Sequence, residues 1–304
     1  MTEAKRLEML KRPAGKVDVV LDTDTYNEID DQFALAYLLS APEKLNTVAV
    51  YAAPFFNMHS TSPEDGMLRS YDEILKITSL IGWNHPELVF KGSRSYLPDE
   101  NTPVPSPAAE DLAKRAMNYT SENPLYVVAI GAITNVASAL LLNPEIRERM
   151  VLIWLGGHAL EWPHNREFNL HQDIAGARVV FGCGVPLVQL PCMGVVSHFS
   201  TTEPELRYWL MDKNPLCTYL AQHTIDEANA YAKGKPWSRV IWDVTTIAWL
   251  LDEEEKFVQD KLIPSPIPAY DGHWASDPTR HMIKYVYAVN RDPLWEDVFG
   301  RLTK

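Results

Sequence analysis

Residues 17–39 read VDVVLDTDTYNEIDDQFALAYLL. The apolar run from Val17 to Leu21 is typical of a buried strand, and the apolar spacing from Phe33 to Leu39 is typical of a helix. Five acidic residues lie between the two patterns, namely Asp22, Asp24, Glu28, Asp30 and Asp31. The stretch therefore predicts a strand, an acidic loop and a helix in that order.

The acidic loop follows the first predicted strand, at the end of the strand where open α/β sheets bind their ligands. Carboxylates this dense repel one another unless a cation or shared protons compensate. A hard divalent cation with oxygen ligands meets that requirement. The simpler alternative is that the acids cap the helix and interact with its dipole, which suits Asp30 or Asp31 but not all of the acids together.

Strand and helix patterns alternate over residues 17–190. Further strands are predicted at 45–52, 87–90, 125–130, 151–155 and 186–190, and helices at 63–81, 131–142 and 174–181, with another helix beginning at 107. This alternation predicts an α/β fold with an open, mostly parallel sheet flanked by helices. Beyond residue 190 the chain is predicted to be mainly helical, at 203–211, 215–232, 243–251 and 278–290, with a short hairpin or loop at 263–272. No repeat or linker interrupts the pattern, so we expect one domain over residues 1–304.

The composition narrows the classes of partner. Lysine and arginine number 28 and aspartate and glutamate 40, which gives a net charge of −12. An acidic surface disfavours nucleic acid and anionic membranes as partners, and no apolar run reaches the length of a membrane span. The three cysteines lack metal-site spacing, and the polar N-terminus lacks the apolar core of a signal peptide. We therefore expect a cytoplasmic protein that binds neither nucleic acid nor membranes.

One possible resemblance concerns residues 19–25 alone. Their sequence, VVLDTDT, resembles the first motif of the haloacid dehalogenase-like phosphatases, in which Asp22 would be the nucleophile and Asp24 the general acid, with Mg²⁺ as cofactor. That family also needs a later lysine and a further acidic pair after a strand, and neither is evident here. The motif also leaves Asp30 and Asp31 without a role.

The whole stretch more closely resembles the signature of the nucleoside hydrolases, the inosine–uridine-preferring N-ribosyl hydrolases. That signature is DTD, a spacer, DD and an apolar helix, and here the spacer Thr25–Ile29 is two residues longer than usual. Further motifs follow in the family's order: GAITN at 131–135, WLGG at 154–157, EFN at 167–169 and WD at 242–243. Asn57 is a weaker match to an asparagine after the second strand. The resemblance implies a divergent branch with the Rossmann-like nucleoside hydrolase fold.

By this resemblance, the protein would hydrolyse the N-glycosidic bond of ribonucleosides to free base and ribose through a Ca²⁺-bound water. Asp24 would be the general base, and Asp22 would orient neighbouring groups. The Ca²⁺ ligands would be Asp24, Asp31, Asp243 and the carbonyl of Ile130. The substrate-binding residues would be Asp30 and Asn169 at the ribose 2′- and 3′-hydroxyls, Glu167 and Asn57 at the 5′ end, and Trp242 at the base. Family members are usually homodimers or homotetramers, so we expect a homo-oligomer.

Each of the later residues also has a purely structural interpretation. Glu167 and Asn169 could cap the following helix, although we expect them to share one face of an extended segment. Asp243 could be the N-cap of the helix after it. Trp242 could be a core residue, or it could stack on the base, as a tryptophan does at this place in the purine-specific branch, which makes a role in purine nucleoside salvage the expectation.

Many family members have a histidine where Trp242 stands, and that histidine protonates the leaving base. Candidates for a replacement are His158, His164 and His171, which lie in the loop around EFN. Further candidates for the base site are Tyr96, His273, Trp274 and His281. Tyr96 lies in the proline-rich segment 91–107, which is too long for a routine connection and predicts a functional loop or a lid. The missing histidine and the long spacer leave open a protein of the same fold that binds nucleosides or ribose without hydrolysing them.

Overall fold

The computed structural model describes residues 1–304 and contains twelve strands and eleven helices. The strands are β1 (Val17–Thr23), β2 (Leu45–Ala52), β3 (Val89–Lys91), β4 (Leu125–Ala129), β5 (Met150–Leu155), β6 (Leu187–Leu190), β7 (Ser200–Thr201), β8 (Arg239–Val240), β9 (Val258–Pro264), β10 (Ile267–Pro268), β11 (Trp274–Ala275) and β12 (Met282–Val289). The helices are α1 (Glu3–Met9), α2 (Ile29–Leu39), α3 (Pro63–Ile81), α4 (Pro107–Arg115), α5 (Thr134–Leu142), α6 (Phe168–Gln172), α7 (Ile174–Gly182), α8 (Glu203–Trp209), α9 (Pro215–Ala232), α10 (Val244–Leu251) and α11 (Arg291–Leu302). None of these helices has both the length and the apolar character needed to cross a membrane.

The central sheet has eight strands in the order β3-β2-β1-β4-β5-β6-β12-β9. All neighbours pair in parallel except β12 and β9, which are antiparallel. The strand order reverses direction between β1 and β4, and the crevice at such a reversal is the usual ligand site of an open α/β sheet. The carboxyl ends of β1 and β4 carry Asp22 and Ala129, which are paired in register.

Two apolar cores cover the two faces of the sheet. Along β1, Val19 and Leu21 belong to the larger core, whereas Val20 belongs to the smaller one. Neighbouring residues separate in this way because side chains alternate between the faces of a strand. Since both faces are buried, the strands are almost continuously apolar, as parallel strands in α/β proteins usually are. The predicted mostly parallel sheet flanked by helices is thereby confirmed.

The prediction of a mainly helical C-terminal part is wrong at its end. Residues 278–290 contain β12 rather than a helix, and β12 joins β6 and β9 in the central sheet. Pro278, the first residue of the predicted helix, lies instead in a turn in which Arg280 N–H donates to the carbonyl of Asp277. The following residues, MIKYVYAV, are rich in β-branched and aromatic side chains, which favour strands. Within the hairpin or loop predicted at 263–272, residues 263–264 end β9, and β10 pairs antiparallel with β11, which lies beyond the predicted range.

The long loop after β3 packs against the rest of the protein. The backbone N–H of Leu97 donates to Asp173 at the start of α7, and the side chain of Leu97 is buried. Further along the loop, Glu100 forms an ion pair with Arg178 of α7. These contacts hold the loop near the carboxyl ends of the central strands.

Candidate active site

The acidic side chains come together because β1 ends where α2 begins. Asp22 and Asp24 follow the apolar part of β1, while Asp30 and Asp31 occupy the first turn of α2. The positive end of the helix dipole favours carboxylates in that turn. All four side chains are almost completely buried.

Three carboxylates converge from distant parts of the chain. Oxygen atoms of Asp30, Asp31 and Asp243 all lie within 4.8 Å of one another. Oδ1 of Asp30 has no hydrogen-bond partner, while Thr23 Oγ1 donates to Asp31. Burial and mutual repulsion raise the pKa of Asp31 and of Asp243 well above the ordinary value. Buried acceptors without donors fit a hard divalent cation, which supplies the missing positive charge.

Asp24 lies deeper than the other proposed metal ligands. It is completely buried, and neither of its carboxylate oxygens has a hydrogen-bond partner. Burial, and then the charge of Asp31, raise its pKa well above the ordinary value. A Cβ atom at Gly131 would lie 2.8 Å from Oδ1 of Asp24, so the glycine of the GAITN motif gives the carboxylate its space. Asp24 is not one of the three acids that lie within 4.8 Å of one another.

Asp22 is bound by the last residue of the GAITN motif. Nδ2 of Asn135 donates to Asp22 Oδ1 at 2.7 Å, and Oδ1 of Asn135 accepts the N–H of Ser93 at 2.7 Å. Burial raises the pKa of Asp22 to about 7, and the Asn135 hydrogen bond opposes this rise. Asp22 thus connects β1 to α5 and lies beneath the other acids.

A cavity of about 300 Å³ opens above the acidic cluster. Among the predicted site residues, the structure brings these to its wall: Asp30, Asp31, Asn57, Ile130, Glu167, Asn169, Trp242 and Asp243. The other residues of the wall are Asn27, Glu28, Leu155, His158, Phe168, Cys192 and Met193. No lysine or arginine lines this cavity, so no basic side chain of the wall offsets its acids, which are Glu28, Asp30, Asp31, Glu167 and Asp243.

The expectation that Glu167 and Asn169 lie on one extended segment is wrong. Glu167 is the N-cap of α6, and its carboxylate accepts the N–H groups of Asn169 and Leu170. It also accepts the N–H of Gly157, from the WLGG motif. Both residues nevertheless line the cavity, because the first turn of α6 faces it. The side-chain amide of Asn169 donates to the carbonyls of Ile130 and Leu155, so its own oxygen is available to another donor.

Asp243 was expected either to bind metal or to cap a helix, and Trp242 either to stack on the base or to pack in the core. The structure distinguishes the two possibilities more clearly for Asp243 than for Trp242. Asp243 immediately precedes α10, but its side chain makes no capping hydrogen bond and instead joins Asp30 and Asp31. Trp242 is half-buried, packs against the larger core and also lines the cavity. Its position is therefore compatible with both proposed roles, core packing and contact with a bound base.

The long spacer Thr25–Ile29 forms part of the cavity wall. Asn27 is buried, and its side-chain oxygen accepts the amide of Asn57. The backbone N–H of Tyr26 donates to Ser70 of α3 at 3.4 Å. Glu28 faces the cavity and forms an ion pair with Arg239. Asn27 and Glu28 of the spacer thus line the site, whereas the neighbouring Tyr26 is 40% exposed to solvent.

Among the candidates for a leaving-group acid, only His158 lines the cavity. Its Nδ1 accepts the N–H of Met193 at 3.3 Å, which leaves the proton on Nε2. Burial and the neighbouring ring of His164 lower the pKa of His158 to about 4. Trp274 contacts the backbone of His158, since its indole N–H donates to the His158 carbonyl at 3.0 Å. The hydroxyl of Tyr96 donates to Gln172 of α6.

Several residues of the cavity wall were not predicted from the sequence. Phe168 is about one-third exposed at the mouth, and its position within the EFN motif was the one available signal. Cys192 and Met193 follow β6, where no motif marks them. They reach the site because β6 ends at the same edge of the sheet as β1 and β4.

Solved nucleoside hydrolases share this architecture. A purine-preferring ribonucleoside hydrolase from Gardnerella vaginalis superposes with a TM-score of 0.76 at 19% identity, over 94% of this chain and 98% of the other. A plant nucleoside hydrolase, PpNRh1, superposes with a TM-score of 0.75 at 18% identity, over 94% of this chain and 99% of the other. At such low identity, these similarities demonstrate a common fold.

Similarity at the sequence level extends over most of the chain. A pyrimidine-specific ribonucleoside hydrolase, RihA of Klebsiella pneumoniae (strain 342), is 27% identical over 253 residues, which is 74% of this chain and 77% of that protein. For RihA of Salmonella paratyphi A the match is 29% identical over 164 residues, so this chain spans about half the length of that relative, 52%. The family model described as inosine-uridine preferring nucleoside hydrolase matches residues 19–295. The chain therefore belongs to the inosine-uridine preferring nucleoside hydrolase family.

Proposed function

We propose that this protein hydrolyses the N-glycosidic bond of ribonucleosides, releasing the base and ribose. The observation that carries the proposal is the group of buried, converging carboxylates beneath a cavity of about 300 Å³. Family membership decides against the haloacid dehalogenase alternative, because the family model extends far beyond the DTDT motif which that alternative explained.

The donor set suits Ca²⁺ as the cofactor. Asp24, Asp30, Asp31 and Asp243 offer oxygen atoms, several of them without hydrogen-bond partners. Ile130, whose carbonyl also accepts the side-chain amide of Asn169, lines the same cavity. We propose that Asp24, Asp31, Asp243 and this carbonyl hold the ion. When bound, Ca²⁺ would orient a water molecule and lower its pKa.

Asp24 is the proposed general base. It accepts a proton from the water that attacks C1′ of the ribose while the bond between C1′ and the base breaks. Its two unpartnered oxygens leave it free to accept that proton. The electron pair of the broken bond goes to the base, which completes its valence with a proton, so that the products are the base and ribose.

The remaining lining residues would orient the substrate. Asp30 and Asn169 would bind the ribose hydroxyls, which is supported by the unpartnered Asp30 Oδ1 and the free Asn169 oxygen. Glu167 and Asn57 would contact the 5′ end. Contacts to several hydroxyls use binding energy to favour a distorted, transition-state-like sugar.

The Asp24→Asn variant tests the mechanism. We expect its kcat on a panel of inosine, adenosine, uridine and cytidine with Ca²⁺ to fall by roughly 10²–10⁴-fold, which is the typical contribution of a general base. The exposed Asp72 of α3 provides the control, and Asp72→Asn should hydrolyse the panel at the wild-type rate.

Normal activity of Asp24→Asn would overturn the mechanism. If the wild-type protein binds ribose or a nucleoside but hydrolyses no member of the panel, the non-catalytic binding alternative is correct. The same panel measures base preference. A role in purine salvage, a cytoplasmic location and a homo-oligomeric state stay predictions.

A further inference from the structure

An ion pair crosses the rim of the acidic cavity. Nη2 of Arg239 lies 3.0 Å from Oε2 of Glu28, and we call these two residues the Glu28–Arg239 pair. Glu28 belongs to the long spacer, and Arg239 belongs to β8. The side chain of Arg239 is 21% exposed and that of Glu28 is 44% exposed, so solvent screens the pair only in part.

The pair connects the two chain segments that carry the proposed metal ligands. Glu28 precedes Asp30 and Asp31 on one segment, and Arg239 precedes Asp243 on the other. The three acids therefore meet between segments about 200 residues apart in the chain. When the carboxyls are ionised and no cation is bound, their mutual repulsion favours separation of the two segments, and an attractive contact at the rim opposes that separation.

Other contacts also hold these two segments in place. The segment around β8 is held from behind by its antiparallel pairing with β7 and by a hydrogen bond from Ile241 N–H to the Phe199 carbonyl at 2.9 Å. In front, α10 packs against α2. The Glu28–Arg239 pair is the ion pair that joins the spacer directly to β8. Its loss should loosen the cluster without unfolding the protein.

We propose that the Glu28–Arg239 pair positions Asp30, Asp31 and Asp243 for a divalent cation. This inference rests on the metal site of the proposed function. It assigns a purpose to the long spacer, which brings a carboxylate within reach of Arg239. The ion pair with Glu28 also keeps the guanidinium of Arg239 at the rim, and Arg239 does not line the cavity.

A positioning role and a purely electrostatic role make opposite predictions for Arg239. If only charge mattered, Arg239→Gln would remove a repelling positive charge and tighten Ca²⁺ binding. If the pair positions the acids, Arg239→Gln weakens Ca²⁺ binding although it removes that charge. Glu28→Gln weakens binding in both cases, so the sign of the Arg239→Gln effect distinguishes the two roles.

The test is calorimetric titration of chelator-treated protein with Ca²⁺ alone, without any nucleoside. We expect both single variants to bind Ca²⁺ about fivefold more weakly, as suits a partly exposed ion pair. The double variant should be no weaker than the weaker single variant, because each change breaks the same contact. Arg239→Lys should restore part of the affinity. The matched control is Arg207→Gln, which removes an arginine paired with Glu203 on the surface of α8 and should leave the affinity unchanged.

Tighter or unchanged binding by Arg239→Gln overturns the proposal, as does additive weakening in the double variant. Melting temperatures of the chelator-treated variants show whether a loss of affinity reflects unfolding. Absence of Ca²⁺ binding by the wild type overturns both the proposed metal site and the proposed positioning role of the Glu28–Arg239 pair. Because no substrate is present, a failure of the hydrolase proposal alone leaves Ca²⁺ binding and the order of the variants unchanged.

Discussion

Removing the metal should make the stability of the protein fall as the pH rises from about 4 to about 7. Burial raises the pKa of Asp22 and of Asp30 from an ordinary 3.8 to about 7. For both carboxyls, the folded state therefore binds a proton in a pH range where the unfolded state has lost it. The stabilisation is complete below the unfolded pKa and is lost as the pH rises through the folded pKa.

The size of the effect follows from the shift. A change of about three pKa units corresponds to about 4 kcal/mol of unfolding free energy for Asp22 alone. This is a large part of the ~5–15 kcal/mol that stabilises a typical protein. With an unfolding entropy of about 0.6 kcal/mol/K for 304 residues, 4 kcal/mol corresponds to a melting temperature lower by about 6 °C. Asp30 adds to this fall, because burial and the charge of Glu28 raise its pKa in the same way.

The assay is thermal unfolding of chelator-treated protein from pH 4 to pH 8, followed by tryptophan fluorescence and calorimetry. Saturating Ca²⁺ should reduce the fall, because the cation stabilises the ionised carboxylates. Asp30→Asn should also reduce it in the metal-free protein, whereas Asp72→Asn at an exposed position should not. A metal-free melting temperature that is constant or rises between pH 4 and pH 7 would refute the assignment of buried, uncompensated carboxyls.

Two further predictions concern the cavity wall. Trp242→Ala should raise KM about tenfold through loss of aromatic contact with the base, while Trp242→Phe should retain most of the affinity. Core packing instead predicts a lower melting temperature with unchanged KM, so measuring KM and melting temperature together separates the two roles. His158 is neutral above about pH 5, because burial and His164 lower its pKa to about 4. His158→Gln should therefore reduce kcat/KM by about three- to tenfold, the value of one hydrogen bond. The pH–rate profile between pH 5 and 8 should not change. A limb of that profile that disappears in His158→Gln would show instead that His158 acts as a titrating acid.

Local signals predicted the elements that lie close to the site. The start of α3 was predicted correctly because Ser62 caps the helix and Pro63 begins it. The strand, acidic loop and helix at 17–39 were also predicted, since both apolar patterns there are long. The helix predicted at 278–290 was wrong, because the β-branched and aromatic residues of β12 favour a strand.

By itself, the sequence determined the α/β alternation, the position of the acidic loop and the family, because these depend on periodicity and on motifs within short stretches. Only the tertiary structure decided which acids meet, that Glu167 caps α6, and that Glu28 pairs with Arg239 at the rim of the cavity. Such contacts join residues far apart in the chain, and the order and register of the strands bring them together. The spacer Thr25–Ile29 illustrates the difference: its length can be read in the sequence, but its place in the cavity wall depends on Ser70, Asn57 and Arg239.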